Sequence, residues 1–99
     1  MKRVAIHKEF SNDYITRVAG ERLREMILQA HRAKETIELD FTGVVIGSAS
    51  FFDEGIAKLV EEDGGDWTRT RFKERVAFKG LYAKDREVLE QAMKLRNWK

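Results

Sequence analysis

The 99-residue sequence predicts an α/β domain with a mainly parallel sheet and right-handed crossovers, in the order strand, helix, strand, helix, strand, helix. Three observations carry that prediction. Thr36 to Phe41 alternates apolar and polar residues at the period of a half-buried strand. Ile15, Val18, Ala19, Leu23, Met26, Ile27, Ala30 and Ala33 recur at the spacing of one helix face. Segments of these two kinds alternate along the chain, and the punctuation between them is glycine, serine and Asx, since there is no proline.

The first strand is expected over Arg3 to Phe10, with Val4, Ile6 and Phe10 on one face. Ser11-Asn12-Asp13 then offers N-cap residues for the first helix. That helix carries Arg17, Glu21, Arg24, Glu25 and Arg32 as its polar face. Gly20 lies inside it and costs about 1 kcal/mol against alanine, which points to close approach by another element. The second strand runs from Thr36 to Phe41, with Ile37, Leu39 and Phe41 on one side. Thr42-Gly43 breaks the alternation, and Val44-Val45-Ile46 reads as a buried strand end.

Gly47-Ser48-Ala49-Ser50 leads into a second helix with Phe52, Ile56, Leu59 and Val60 on one face, stopped by Gly64-Gly65. From Thr68 onward Arg69, Arg71, Lys73 and Arg75 alternate with Thr70, Phe72, Val76 and Phe78, interrupted by Glu74. This pattern predicts a long third strand or a hairpin with a basic edge. Asp85 is expected to cap the last helix, whose apolar residues are Val88, Leu89, Ala92, Leu95 and Trp98.

The length fits one domain spanning residues 1–99, long enough to bury roughly 60–70% of its unfolded surface. Without cysteine there is neither disulfide nor thiolate metal site, and with neither a signal peptide nor an apolar span the expected location is the cytoplasm. The net charge of +2 conceals a partition. Residues 1–34 carry eight Lys/Arg against four Asp/Glu, residues 35–63 one against eight, and residues 64–99 ten against five. The acidic middle segment contains the junction before the second helix.

Ligands of open α/β sheets bind at the carboxyl ends of the strands. The best-placed stretch there is Ser48 to Glu54, and Ser48, Ser50, Phe51, Asp53 and Glu54 are the expected partner-binding residues. Ser50 with Asp53 resembles a capping box, and Ser48 is the alternative cap. Either serine is also a candidate phosphorylation site, where the helix dipole favours a phosphate and Asp53 and Glu54 oppose it. Of Phe51 and Phe52, one is expected in the core and the other as a partner-facing anchor.

No enzyme or cofactor is expected. Asp40, Asp53 and Glu54 are the available oxygen ligands for a hard cation, but each has an ordinary role as strand-end or helix-start acid. His7 and His31 are badly placed to activate a serine at the junction, and the glycines form no phosphate-binding fingerprint. The alternative function is nucleic-acid binding through Trp67, Arg69, Arg71, Phe72 and Lys73, within the basic stretch Trp67 to Arg75. That stretch follows a helix, so it is expected at the end of the sheet opposite the junction.

The residues Leu39-Asp40-Phe41, Gly43-Val44 and Ser50-Phe51-x-Asp53-Glu54, with Arg17, Gly20 and Leu23-Arg24 upstream, resemble the STAS-like family of unknown function over roughly residues 10–80. That family is related to the STAS domains of anti-sigma-factor antagonists. The resemblance implies a STAS-like α/β regulatory module that binds a protein partner, and by analogy a histidine-kinase-like ATPase. In the antagonists the switch is a serine in an Asp-Ser-Ser-Gly junction. Laid on from Asp40, that acceptor serine falls on Ala49, so the phosphoacceptor does not carry over residue for residue.

Overall fold

Three four-residue strands, β1 (Lys2–Ala5), β2 (Ile37–Asp40) and β3 (Val76–Lys79), lie parallel in the order β1-β2-β3 in the computed structural model, which describes residues 1–11 and 13–99. The register sets Lys2, Ile37 and Val76 in one row and Val4, Leu39 and Phe78 in another. Val4, Ile37, Leu39 and Val76 are buried, so these rows face the core. Parallel strands need crossovers, and these are supplied by α2 (Arg17–Arg32) between β1 and β2 and by α3 (Ala49–Gly55) and α4 (Arg69–Arg75) between β2 and β3. The last helix, α5 (Ala83–Leu95), follows β3. Among the described residues no helix is long and apolar enough to cross a membrane.

Strands and helices therefore alternate in a parallel α/β arrangement, but two extra helices change the element order. The strand expected through Phe10 stops at Ala5, and Ile6–Phe10 forms a short helix, α1. Ile6 and Phe10, four apart, are both buried, which a helical turn achieves as well as an alternating strand does. The basic stretch expected as a strand is α4. Thr68 caps it, its Oγ1 accepting from Arg71 N at 3.2 Å, and only Val76–Lys79 is extended.

Smaller corrections follow the same logic. α2 starts later than expected, at Arg17, with Thr16 as its cap; its Oγ1 accepts from Ala19 N at 3.1 Å and donates to Asp13 Oδ1 at 2.9 Å. The Asn12 part of the expected cap cluster lies outside the described residues. Ile15 and Val18 are exposed rather than part of the apolar face, and Arg24, read as polar-face, is buried. Val44 to Ile46 is a loop rather than a strand end, with Val44 and Ile46 buried and Val45 exposed. The second helix breaks after Gly55 into a 3-10 turn, Ala57–Glu61, and Gly64 and Gly65 both take positive φ at the turn that ends it.

The core is centred where α2 crosses α3. A Cβ on Gly20 would stand 2.8 Å from both the Phe51 carbonyl oxygen and Glu54 Cβ, and one on Gly55 would stand 3.1 Å from the Gly20 carbonyl oxygen. The two glycines let the helix backbones touch, which is the close approach that Gly20 implied. Behind this contact, Phe10, Phe51, Phe52, Phe41 and Phe78 form a chain of aromatic neighbours with ring centroids 5.7–6.1 Å apart. The C-terminus closes the other side. Trp98 Nε1 donates to the Ala57 carbonyl at 2.7 Å, and Arg69 N donates to the Lys99 carbonyl at 2.8 Å.

Candidate functional site

The junction between β2 and α3 is built by hydrogen bonds from three directions. Asp40 Oδ1 accepts from Thr42 N at 2.9 Å and turns the chain out of β2, and Thr42 holds the Asp40 carboxyl below its ordinary pKa. Gly43 and Gly47 take positive φ, the region where a side chain is strained. Between them, Ile46 N and Gly47 N donate to the two carboxylate oxygens of Asp85 at 2.7 and 2.9 Å. Asp85 does not cap α5 as its residue type predicts. It stands instead in the first turn of α5, almost wholly buried, and anchors the loop that presents the serines.

Ser48, not Ser50, caps α3. Its Oγ accepts from Phe51 N at 3.4 Å and donates to the Ile15 carbonyl at 3.0 Å, tying the junction to the segment before α2. Ala49, the position matching the antagonists' acceptor serine, is the first residue of α3 and is exposed. Ser50 is half-buried and faces a groove between α3 and α5. Phe51 and Phe52 are both fully buried, so neither is the partner-facing anchor. They pack beneath the junction and hold its shape.

Asp53 and Glu54 do not stand as bare carboxylates. Arg96 grips Asp53 with a two-pronged contact, Nε to Oδ1 at 2.7 Å and Nη2 to Oδ2 at 2.9 Å, and its Nη1 bonds Glu61. Arg17 Nη1 bridges Asp53 Oδ2 at 3.2 Å and Glu54 Oε1 at 3.1 Å. Glu54 Oε2 receives Arg24 Nη1 at 2.8 Å and Lys58 Nζ at 3.2 Å. Arg24 also bonds the Glu54 carbonyl and turns its Nε toward Glu62 at 3.6 Å. The hydrogen bond from Arg96 is the main cause that lowers the Asp53 pKa, and that from Arg24 the main cause for Glu54; burial opposes both. Arg17, Arg24 and Arg96 are thus the site residues that sequence reasoning missed in this role. Arg24 spaced four residues from Gly20 was the one local hint, because it places both on the face that meets α3.

The groove measures about 920 Å³ and is walled by Ala49, Ser50 and Asp53 on one side and by Val88, Ala92 and Leu95 on the other. Arg17, Lys84 and Arg96 also line it. Leu95 is 81% exposed, and Ile15 beside Ser48 is 63% exposed, so apolar surface flanks the junction. Asp40 is not brought to Asp53 and Glu54, and no cluster of three or more His, Asp or Glu with metal-holding geometry occurs among the described residues. His7 Nδ1 bonds Tyr14 Oη at 2.8 Å, and the His31 ring packs against Trp67 at a centroid distance of 4.9 Å, tilted by 57°.

The basic stretch lies elsewhere. Trp67 and Phe72 are buried, Arg69 pairs with Glu90 at 2.7 Å, and Lys73 is exposed near Arg69 and Arg86. Arg71 and Arg75 lie half-buried one turn apart on α4. The aromatics expected to stack on bases are therefore core residues.

No curated protein and no solved structure matches the chain. A family model described as a STAS-like domain of unknown function matches residues 19–86, from the first turn of α2 through β2, the junction, α3, α4 and β3 to the start of α5. The match takes in the glycine contact between α2 and α3, the Ser48 cap, Asp53, Glu54 and the Asp85 anchor, so the chain belongs to the family of STAS-like domains of unknown function.

Proposed function

We propose that this domain is a regulatory protein-binding module rather than a catalyst, and that its partner docks on the junction and the groove between α3 and α5. The observation that carries the reading is the groove itself: an apolar wall of Ala49, Val88, Ala92 and Leu95 beside carboxylates already neutralised by guanidinium groups. Such a surface offers apolar area and shape with its central carboxylates already paired and its unpaired charges, Lys84 and Glu87, exposed, which suits a protein ligand better than a reacting small molecule. Carboxylates engaged by Arg17, Arg24 and Arg96 are poorly suited to hold a cation or to move protons at neutral pH. The STAS likeness favours a kinase-like ATPase as the partner class.

Serine phosphorylation is a secondary element of this reading, and Ser50 suits it better than Ser48. The Ser48 hydroxyl already serves two bonds, whereas Ser50 lines the groove with Arg17 and Arg96. A phosphate there would compete with Asp53 for both guanidiniums.

The test is affinity capture from the native host with three baits of equal thermal stability: wild type, Ala49→Glu in the groove wall, and Arg71→Gln on α4. A protein retained by wild type and Arg71→Gln but lost with Ala49→Glu is the expected result. A partner held equally by all three would rule out the groove.

A further inference from the structure

In a parallel sheet the residues that enter each strand gather at one end. Here that end receives Lys2 at the start of β1, Lys34 on the approach to β2 and Arg75 immediately before β3. The last turn of α2 brings His31 and Arg32 to the same end. Arg71 lies one turn before Arg75, on the same face of α4. Trp67, just ahead of α4, packs against His31 with ring centroids 4.9 Å apart, so α4 adjoins the end of α2.

These cations are poorly compensated. Lys2, Lys34, Arg71 and Arg75 make no ion pair among the described residues. Arg32 reaches Asp63 at 3.6 Å, but Asp63 also accepts from Trp67 Nε1 at 3.2 Å and is shared. Glu35 and Glu74 are the other carboxylates in these segments.

We propose that this end of the sheet is a nucleic-acid-binding rim, in which Lys2, Arg32, Lys34, Arg71 and Arg75 grip the phosphate backbone of a duplex without reading its bases. The cations are spread across the strand ends, and the outer strands of a three-stranded sheet stand about 10 Å apart. An array of that width meets several charges of a duplex, which carries one per about 1.7 Å of axis. Guanidinium groups match phosphate oxygens in a fork geometry. Single-stranded binding would need exposed aromatics for stacking, and Trp67 and Phe72 are buried. The rim lies at the opposite end of the sheet from the groove, so the two surfaces are separable by mutation.

The experiment measures binding of 20-base-pair DNA duplexes of unrelated sequence by fluorescence anisotropy across a salt series, using the full chain. The expected result is equal affinity for all sequences, with log K falling linearly against log salt. Replacing both Arg71 and Arg75 by Gln should lower the magnitude of that slope by about 1.8, and Lys34→Asn by about 0.9, at about 0.9 per phosphate contact. Asparagine suits Lys34 because φ there is 60°. Lys84→Gln, a cation of the opposite end, should leave the slope unchanged. Three results would overturn the proposal: no binding at 50 mM salt, an equal loss of slope with Lys84→Gln, or competition by poly-glutamate as effective per charge as by duplex. The last would reassign the rim to an acidic protein segment.

Discussion

The two ends of the sheet handle charge in opposite ways. At the carboxyl end, Asp53 meets Arg17 and Arg96, and Glu54 meets Arg17, Arg24 and Lys58. At the amino end, Arg71, Arg75 and Lys34 have no carboxylate partner among the described residues, and His31 packs tilted against Trp67 beside them. A neutralised end recognises by shape and apolar area, and its ion pairs work to hold α2, α3 and the C-terminus together. An uncompensated end acts at longer range and is weakened by salt. A net charge of only +2 thus conceals an uneven distribution, with dense pairing at the carboxyl end and mostly unpaired cations at the amino end.

Stability measurements separate the two ends most directly. Arg24→Met should cost about 3 kcal/mol in urea unfolding, because it strips a buried partner from Glu54. Arg71→Gln should cost about 1 kcal/mol or less, because this half-buried side chain leaves no ion-pair partner stranded. Equal costs would mean that the ion pairs at the junction have no structural weight. A somewhat smaller effect is expected from Gly20→Ala. The added methyl group would collide with the Phe51 carbonyl and force α2 away from α3, costing about 1–3 kcal/mol. A stabilised Gly20→Ala variant, the usual result for glycine in an exposed helix, would show that the two helices can separate freely.

How much of this was legible in the sequence depends on how local each cause is. β2 was legible because Ile37 and Leu39 alternate with Glu38 and Asp40, and one face is buried. The glycine contact was legible because Gly20 interrupts an otherwise regular helix. The serine junction was placed correctly at the carboxyl end of the sheet, and the separation of the basic stretch from it also follows from the chain order. The helix α4 was not legible. Arg69, Arg71, Lys73 and Arg75 mimic a strand's alternation, and the one buried residue of the helix, Phe72, supplies too little pattern to oppose it. The clamps on Asp53 and Glu54 were invisible for a different reason. Arg17, Arg24 and Arg96 lie 30 to 43 residues away from them, and only the packed fold brings them together.

The weakest expected effect, and the one that separates the two ends most cleanly, is pH dependence. Burial first, and then the charges of Arg75 and Arg71, hold the His31 pKa below 6.5, while Asp63 acts in the opposite sense. The unfolded chain therefore binds a proton that the folded one refuses. His31 contributes its full stability above pH 6.5, and that contribution declines as the pH drops from 6.5 toward the folded pKa, by at most about 1.4 kcal/mol per pH unit. At the carboxyl end the folded pKa values of Asp53 and Glu54 lie below their ordinary values of 3.8 and 4.5. Their stabilisation is complete above those values and is lost as the pH falls through the folded pKa values. Urea midpoints measured against pH should thus show an upper decline that begins near pH 6.5 and a lower one that begins near pH 4.5. His31→Gln should erase the upper decline and leave the lower one, while Asp53→Asn should shrink the lower one and spare the upper. If His31→Gln leaves the whole profile unchanged, the uncompensated cations at the amino end do not act on His31, and the contrast between the two ends fails at that point.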